Sequence, residues 1–326
     1  MANRFAVKSQ DIKLSADDMP KNKSVKFGIM RILTRMILFC VYLLIRIIPL
    51  QLHKPIADLL GLAMHKYIPS NRKLVMKHLE MAYGSRLSRD EIENIALKSN
   101  QHMVMNIFEF IRFPAMNSKS ILSKVTFEGE EYLIEALEQN KGVIVLSGHY
   151  GNWEMLGAAI VAKGYSLTVV RRDQNDGLLN DVIQKQRDRK GIKTVPRNKP
   201  LFKHLIYLLK NNELVALIAD QNAGPEGLFV DFFDRPAATF KGPGLFGTIT
   251  GAPIIPIFMV RDGYMKHRVV IKPAVVCRPT GDTGQDIAAI TQECTRVIEN
   301  MIVEHPEQWM WQHRRWKTDP PGVGLS

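Results

Sequence analysis

The chain has 326 residues, 46% of them hydrophobic, and a formal net charge of +12. That length and apolar fraction exclude a disordered chain and allow one sizeable domain with an appendage, or two small ones. The positive field implies an anionic partner, be it nucleic acid, anionic lipid or an acidic protein, while three scattered cysteines (Cys40, Cys277, Cys294) form no C-x-x-C pair for zinc or redox chemistry and fit a reducing compartment.

Residues 1–24 read as a polar tail, and 25–52 as a membrane-anchoring helix. Its apolar run, Phe27 to Leu50, would be about 36 Å long as a helix, enough to cross a bilayer. The polar tail is too mixed in charge for a signal peptide and no A-x-A site follows, so the segment is expected to stay in the protein. At 100° per residue Arg31, Arg35, Tyr42 and Arg46 fall within roughly 60° of one another, leaving the rest of the circumference apolar. A centred arginine costs about 2.5–3.5 kcal/mol, so the helix is expected to lie partly among headgroups, its basic stripe on phosphates. The competing reading is a core helix whose arginines pair with carboxylates.

Residues 53–115 show helical patterning without a strand signal, a collar joining the anchor to the C-terminal two thirds of the chain. Ser70 suits an N-cap, Ser88 stands three residues before Glu91 in capping-box spacing, and Pro114 should end the last helix. From 116 to 326 short apolar strands alternate with helical segments. "KVTFEG", "VIVLSG", "SLTVVR", "LVALIAD" and "PIIPIFMV" read as strands, and "MVRDGYMKHRVVIKP" as a hairpin turning at Asp262-Gly263. The expected class is α/β, with a mixed, largely parallel central sheet flanked by helices, plus the N-terminal membrane helix and helical collar.

The stretch "LSGHYGNWE", residues 146–154, carries the chemical signal. His149 comes just after the end of the "VIVLS" strand and Glu154 falls in the first turn of the next helix, the edge where open α/β sheets gather their ligands. Gly148 and Gly151 permit a bend that would fold Glu154 back onto the imidazole, fixing its tautomer and leaving the other nitrogen as a base. Such a base suits deprotonating an alcohol that attacks an ester or thioester directly. Ser147 is the only nearby hydroxyl that could argue for a covalent route and it lacks a G-x-S-x-G setting, and H-x-x-x-x-E lacks the His pair of a zinc site. By spacing alone, an Asn152 helix cap beside an incidental His fits equally well.

The block "GVIVLSGHYGNWE" resembles the H-x-x-x-x-D/E motif of the bacterial lipid A biosynthesis acyltransferases, the lauroyl and myristoyl transferases within the wider lysophospholipid acyltransferase superfamily. "NRKLVMKHLEMAYG", "VVRRDQN", "IADQNAG", "FFDRPAATFKGPG", "APIIPIF" and "PEQWMWQHRRWK" are similar to further blocks in family order. The resemblance implies transfer of a fatty acyl group from acyl carrier protein to a hydroxyl of a lipid A precursor. The enzyme would sit at the cytoplasmic face of the inner membrane, with His149 as general base and Glu154 as its partner. It further implies that Arg171 meets acceptor phosphate or the oxyanion. Asp220 and Gln221, at the end of a strand on the same edge, could bind sugar hydroxyls, and Lys241, before a Gly-Pro-Gly helix start, could meet a phosphate. Arg172 stands where the family often has proline and reads as solvated. Asp234 stands where the family often has glycine, and Asp tolerates a left-handed turn.

The aromatics Trp309, Trp311 and Trp316 among the bases of "HRRWK" would suit stacking on nucleic acid or a membrane interface; the anchor and the family resemblance favour membrane over nucleic acid. The "RDRKG" run at 187–191 is a candidate contact for acyl carrier protein or a solvated face. The reading is of a monomer that needs no metal and no cofactor. Two alternatives stay open: a related acyltransferase acting on another phospholipid or glycolipid, and a non-catalytic membrane protein that binds anionic lipid.

Overall fold

The computed structural model describes residues 42–171, 177–197, 201–277 and 279–322, together with Met36 and Cys40. The chain divides into two compact units, Met1–Ile48 and Pro49–Ser326. In the first, residues 42–47 are helical, and Arg46 donates to the Tyr42 hydroxyl at 2.6 Å, as expected of two residues on one helical stripe. The tail expected over 1–24, and most of the anchor expected over 25–52, lie outside the described residues. Among those described, no helix is long and apolar enough to cross a membrane.

The second unit begins with three collar helices, α1 (Leu50–Tyr67), α2 (Pro69–Tyr83) and α3 (Arg89–Arg112). The α3 start is the capping box expected from spacing: Ser88 accepts from the Glu91 amide while the Glu91 carboxylate accepts from the Ser88 amide. Ser70 is not the cap of α2. That helix starts one residue earlier with Pro69 in its first turn, where a missing N–H costs nothing. Helix α3 ends at Arg112 in a 3₁₀ turn, Phe113–Ala115, that contains Pro114. Two shorter helices, α4 (Ser118–Leu122) and α5 (Glu130–Glu138), lead into the sheet.

Seven strands form the central sheet: β1 (Val125–Glu128), β2 (Val143–Ser147), β3 (Leu167–Arg171), β4 (Lys193–Pro196), β5 (Leu214–Ile218), β8 (Ile254–Gly263) and β9 (Lys266–Ile271). Their order across it is β1-β9-β8-β2-β5-β3-β4. All neighbours are parallel except β8 with β9. The sheet is therefore mixed and largely parallel. Every residue of β2 is buried, as a strand covered by helices on both faces requires. Apolar cores lie on both sides: Ile144, Leu146, Leu217 and Trp309 belong to one, Val145, Leu156, Ala216 and Met259 to the other.

Two details depart from the sequence reading. The β8–β9 turn is Tyr264-Met265, since Gly263 pairs with Lys266 and the ladder slips between Arg261 and Gly263. Met265 takes a left-handed φ of 55°, yet its side chain is buried and its amide donates to Glu109 at 2.8 Å, so tertiary partners outweigh the local Asp-Gly preference. The "FFDRP" segment closes a separate hairpin, β6 (Leu228–Asp231) with β7 (Pro236–Thr239). Its tip holds Phe233 and Asp234 at φ 53° and 55°, so Asp234 does adopt the left-handed conformation.

Parallel strands β2 and β5 place Ser147 opposite Ile218. The residues two beyond each, His149 and Asp220, leave the sheet side by side. The chain after β2 then turns back through Gly151, whose φ is +57° and whose absent Cβ would lie 1.7 Å from the Met259 carbonyl oxygen. No side chain fits there without moving strand β8. Gly151→Ala is expected to lower stability by about 2 kcal/mol or more, and a thermal melt beside that of the parent protein measures it.

Candidate functional site

His149 is held at three points. Its amide donates to Asp220 Oδ2 at 2.7 Å, its ring Nδ1 lies 2.8 Å from Asp220 Oδ1, and its carbonyl accepts from the Met310 amide at 3.1 Å. The Asp220 side chain is 1% exposed and that of His149 21%. A third donor, the Trp309 indole N–H, reaches Asp220 Oδ2 at 2.8 Å. Burial on its own would raise the Asp220 carboxyl. The neighbouring His149 charge, with the bonds from its ring, Trp309 and the His149 amide, carries it below the ordinary value instead. Asp220 is thus an acceptor at neutral pH, which puts the imidazole proton on Nδ1 and the lone pair on Nε2. The Gln221 amide nitrogen stands 3.4 Å from Nε2, and the Trp153 ring packs edge-on against the imidazole at 5.2 Å.

Glu154 is not the partner of His149. It receives two bonds from Arg187, at 3.0 Å from Nε and 2.6 Å from Nη2, with both side chains about 15% exposed. The physical reason is where the helix starts. Asn152 caps α6 (Trp153–Ala162) by accepting from the Met155 amide at 3.0 Å, so Glu154 is already the second residue of a regular helix. The flexibility of Gly148 and Gly151 serves other contacts: a Cβ on Gly148 would press on Asp220 Oδ2 at 3.2 Å. Asp220 was legible as a strand-end carboxylate on the same edge. Its role as the ring's partner depended on β5 lying next to β2.

The loop between His149 and α6 is anchored from the collar. Asn152 donates to the buried Glu109 carboxylate at 2.6 Å, and Asn106 donates to the Gly151 carbonyl at 2.8 Å. Glu109 also accepts from Arg261, whose Nε donates to His102 Nε2 at 2.9 Å. Burial would raise the Glu109 carboxyl, but the Arg261 guanidinium beside it holds it far below the usual carboxylate range.

Beside Trp153 a small apolar crevice opens between the sheet and helices α6 and α7 (Gly177–Arg189). Val145, Leu156, Ile160, Val169 and Ile218 line it, with Ser147, Trp153, Glu154 and Arg187. The Ser147 hydroxyl is buried there without a hydrogen-bond partner.

Arg171 ends β3, and so shares the sheet edge with Asp220, one strand farther from β2. Beyond helix α8 (Leu201–Lys210), Lys241 is exposed just before helix α9 (Gly242–Thr250), outside the hydrogen-bonded cluster around His149. Arg172 lies outside the described residues.

In the 187–191 run Arg187 is taken up by Glu154, and the Lys190 ammonium donates to the Met116 carbonyl and lies 5.1 Å from the Phe113 ring centre, which leaves Arg189 as the exposed cation of the run. The expectation of an interfacial aromatic-basic segment is corrected in part: Trp309, Trp311 and Arg315 are at most 2% exposed and belong to the core, while Trp316 is half-buried and Arg314 and Lys317 are exposed. Among the described residues no cluster of three or more His, Cys, Asp or Glu side chains could hold a metal.

The profile of the bacterial lipid A biosynthesis acyltransferases matches residues 20–318. The chain belongs to that family. It is 30% identical over 217 residues to a phosphatidylinositol mannoside acyltransferase of Mycobacterium tuberculosis (strain CDC 1551 / Oshkosh), covering 65% of this chain and 66% of that one. It is 27% identical to the lipid A biosynthesis palmitoleoyltransferase of Escherichia coli (strain K12) over 81% of this chain and 84% of the relative. The lauroyltransferase of the same strain is also 27% identical, over 84% and 89%.

The Asp220 carboxyl sits below its ordinary value of 3.8, so it adds stability above that pH and the addition fades as pH falls through the lower folded-state value. Asp220→Asn should cost about 2 kcal/mol at neutral pH and show a shallower loss of stability below pH ~4 than the parent. Urea denaturation at the two pH values checks both statements.

Proposed function

We propose that this protein moves a fatty acyl group from an acyl carrier protein thioester to a hydroxyl of a lipid A precursor, with His149 as general base. The observation that supports this most is the buried Asp220 carboxylate, held so that it fixes the Nδ1–H tautomer and leaves the lone pair on Nε2. In the reaction Nε2 takes the hydroxyl proton as the alcohol oxygen attacks the thioester carbonyl. The tetrahedral intermediate then expels the thiolate, which recovers the proton from the imidazolium, so no enzyme nucleophile is consumed. Asp220 stabilises the imidazolium between the two steps.

The apolar crevice takes the acyl chain, and the Glu154–Arg187 pair holds α6 to α7 along its lining. Glu154 thus serves the site by shaping this slot rather than by touching the ring. Arg171 and Gln221, on the same edge, meet the acceptor's phosphate or the developing oxyanion, and Lys241 adds a cation for a phosphate farther out. The lipid A relatives support a lipid A precursor as acceptor, and the mannoside acyltransferase relative makes another phosphoglycolipid the second reading.

A membrane-bound placement, at the cytoplasmic face of the inner membrane, agrees with lipidic substrates. Helix α1 supports contact with lipid. Its buried face is His53, Ala57, Gly61 and His65, whereas Leu52, Leu59, Leu60 and Tyr67 are 45–72% exposed and fall within about 100° of one another. Lys66 lies beside them, the composition of a helix lying in the interface.

Incubating the purified protein with acyl carrier protein thioesters and a tetra-acylated lipid A precursor, followed by mass spectrometry, tests the reading. One acyl mass should be added. His149→Ala should lower the rate about 10²–10⁴-fold and Asp220→Asn nearly as much, with Glu154→Gln less severe and felt in donor binding. Full activity in His149→Ala would end the proposal, and acylation of phosphatidylinositol mannoside alone would favour the second reading.

Vesicle co-sedimentation checks the membrane surface. The pair Leu59→Gln and Leu60→Gln should cut partition to anionic vesicles roughly tenfold or more, at ~1.5–3 kcal/mol per fully buried leucine.

A further inference from the structure

The segment 306–316 threads through the site more closely than its distance in sequence from His149 suggests. The Gly151 amide donates to the Gln308 carbonyl at 3.0 Å and the Met310 amide to the His149 carbonyl at 3.1 Å, while Tyr150 and Trp309 form an antiparallel bridge. The Gln308 side chain is bonded at both ends to the Arg261 backbone, accepting from its N–H at 2.8 Å and donating to its C=O at 3.0 Å. The strap is thus fixed to strand β8 on one side and to the His149 loop on the other.

One side chain of this strap meets the carboxylate that orients the base. The Trp309 ring is 2% exposed and wedged against Trp311 at 4.7 Å and Phe232 at 5.7 Å. That packing aims its N–H at Asp220 Oδ2. We infer that Trp309 is a positioning residue for acyl transfer: its indole N–H shares the Asp220 charge with the His149 amide and so sets both the direction and the basicity of the His149 ring. This rests on the reading of His149 as general base.

Charge on a carboxylate is divided among the donors it accepts. With the indole N–H in place, part of the Asp220 charge is spent on a neutral donor, and the imidazolium is stabilised less than a bare aspartate would stabilise it. Removing that donor returns the charge to the ring, which binds its proton more tightly, while Asp220 loses one of the contacts that fix its plane. The other groups facing the pair do not reproduce this effect. His313 accepts from the Asn222 amide at 2.9 Å, and its imidazole is pushed down to about 4 by burial, so it stays neutral across the working range. The Arg315 guanidinium, lowered to about 10 by burial, remains a constant cation there. Gln221 carries no charge.

The experiment is the pH profile of kcat/KM for the full-length protein with Trp309→Phe, using the thioester and lipid A precursor assay. The acid limb should move up by about one pH unit and kcat should fall about tenfold at neutral pH, with KM for both substrates little changed. Trp311→Phe is the control. It removes a fully buried indole from the same cluster, one whose N–H donates to the Pro306 carbonyl at 2.7 Å and not to Asp220, so its limb should stay in place. If the phenylalanine variant does not fold, a benzothienylalanine at 309, placed by codon suppression, keeps the ring shape and lacks only the N–H; it should show the same shift.

An acid limb that stays in place in the Trp309 variants, or that moves equally in Trp311→Phe, overturns the inference. Retention of activity in His149→Ala would overturn the underlying reading instead, so the two failures are separable.

Discussion

A carboxylate with 1% of its side chain exposed is the constraint around which this site is built. Taking such a group out of water costs several kcal/mol unless donors replace the lost hydration. Asp220 has three: the His149 amide, the His149 ring and the Trp309 indole. Each comes from a different kind of structure, a turn after a strand, a side chain on that turn, and a distant C-terminal strap. The anion therefore unites parts of the chain that would otherwise be independent, and their agreement fixes the imidazole to within one tautomer and one orientation.

The turn itself is fixed from the opposite side. Glu109, on collar helix α3, grips the cap residue Asn152, and Asn106 from the same helix holds the Gly151 carbonyl. Arg261 on β8 neutralises Glu109. A second buried carboxylate, solvated by the same device of multiple donors, thus ties the collar to the sheet at the point where His149 is presented. The collar is part of the scaffold that holds the His149 loop as well as a helical spacer. Rigid support of this kind is what the proposed general-base role requires, because such a ring must come within hydrogen-bond reach of the proton it takes.

Beside that rigid point lies an apolar slot, and Trp153 touches both. The apolar slot and the imidazole are thereby adjacent without sharing a surface. The Glu154–Arg187 pair runs along the slot with its charges satisfied by each other. An acidic residue five positions after the histidine therefore supports the site from the slot side rather than from the ring.

Features governed by neighbours in sequence were legible from residue types alone. The Ser88–Glu91 box, the Asn152 cap, the glycine-bracketed His149 at a strand end and the alternation of strand and helix all arise from contacts within about four residues, where backbone geometry leaves few choices. The collar, the α/β class and the sheet edge carrying His149, Asp220 and Gln221 could be read in the same way. Strand order could not, and it governed the rest. With β5 beside β2, Asp220 rather than Glu154 reaches the imidazole; with the 306–316 strap folded under that edge, tryptophans and an arginine that look interfacial become core. The β4 strand and the β6–β7 hairpin were missed because Pro196 and Pro236 stand within their four-residue strands and read as breakers. Residue types and their spacing established which side chains could supply a base, a carboxylate and an apolar strand edge. Which carboxylate reaches the imidazole was decided in three dimensions, since a hydrogen bond needs partners about 3 Å apart and sequence separation does not measure that distance.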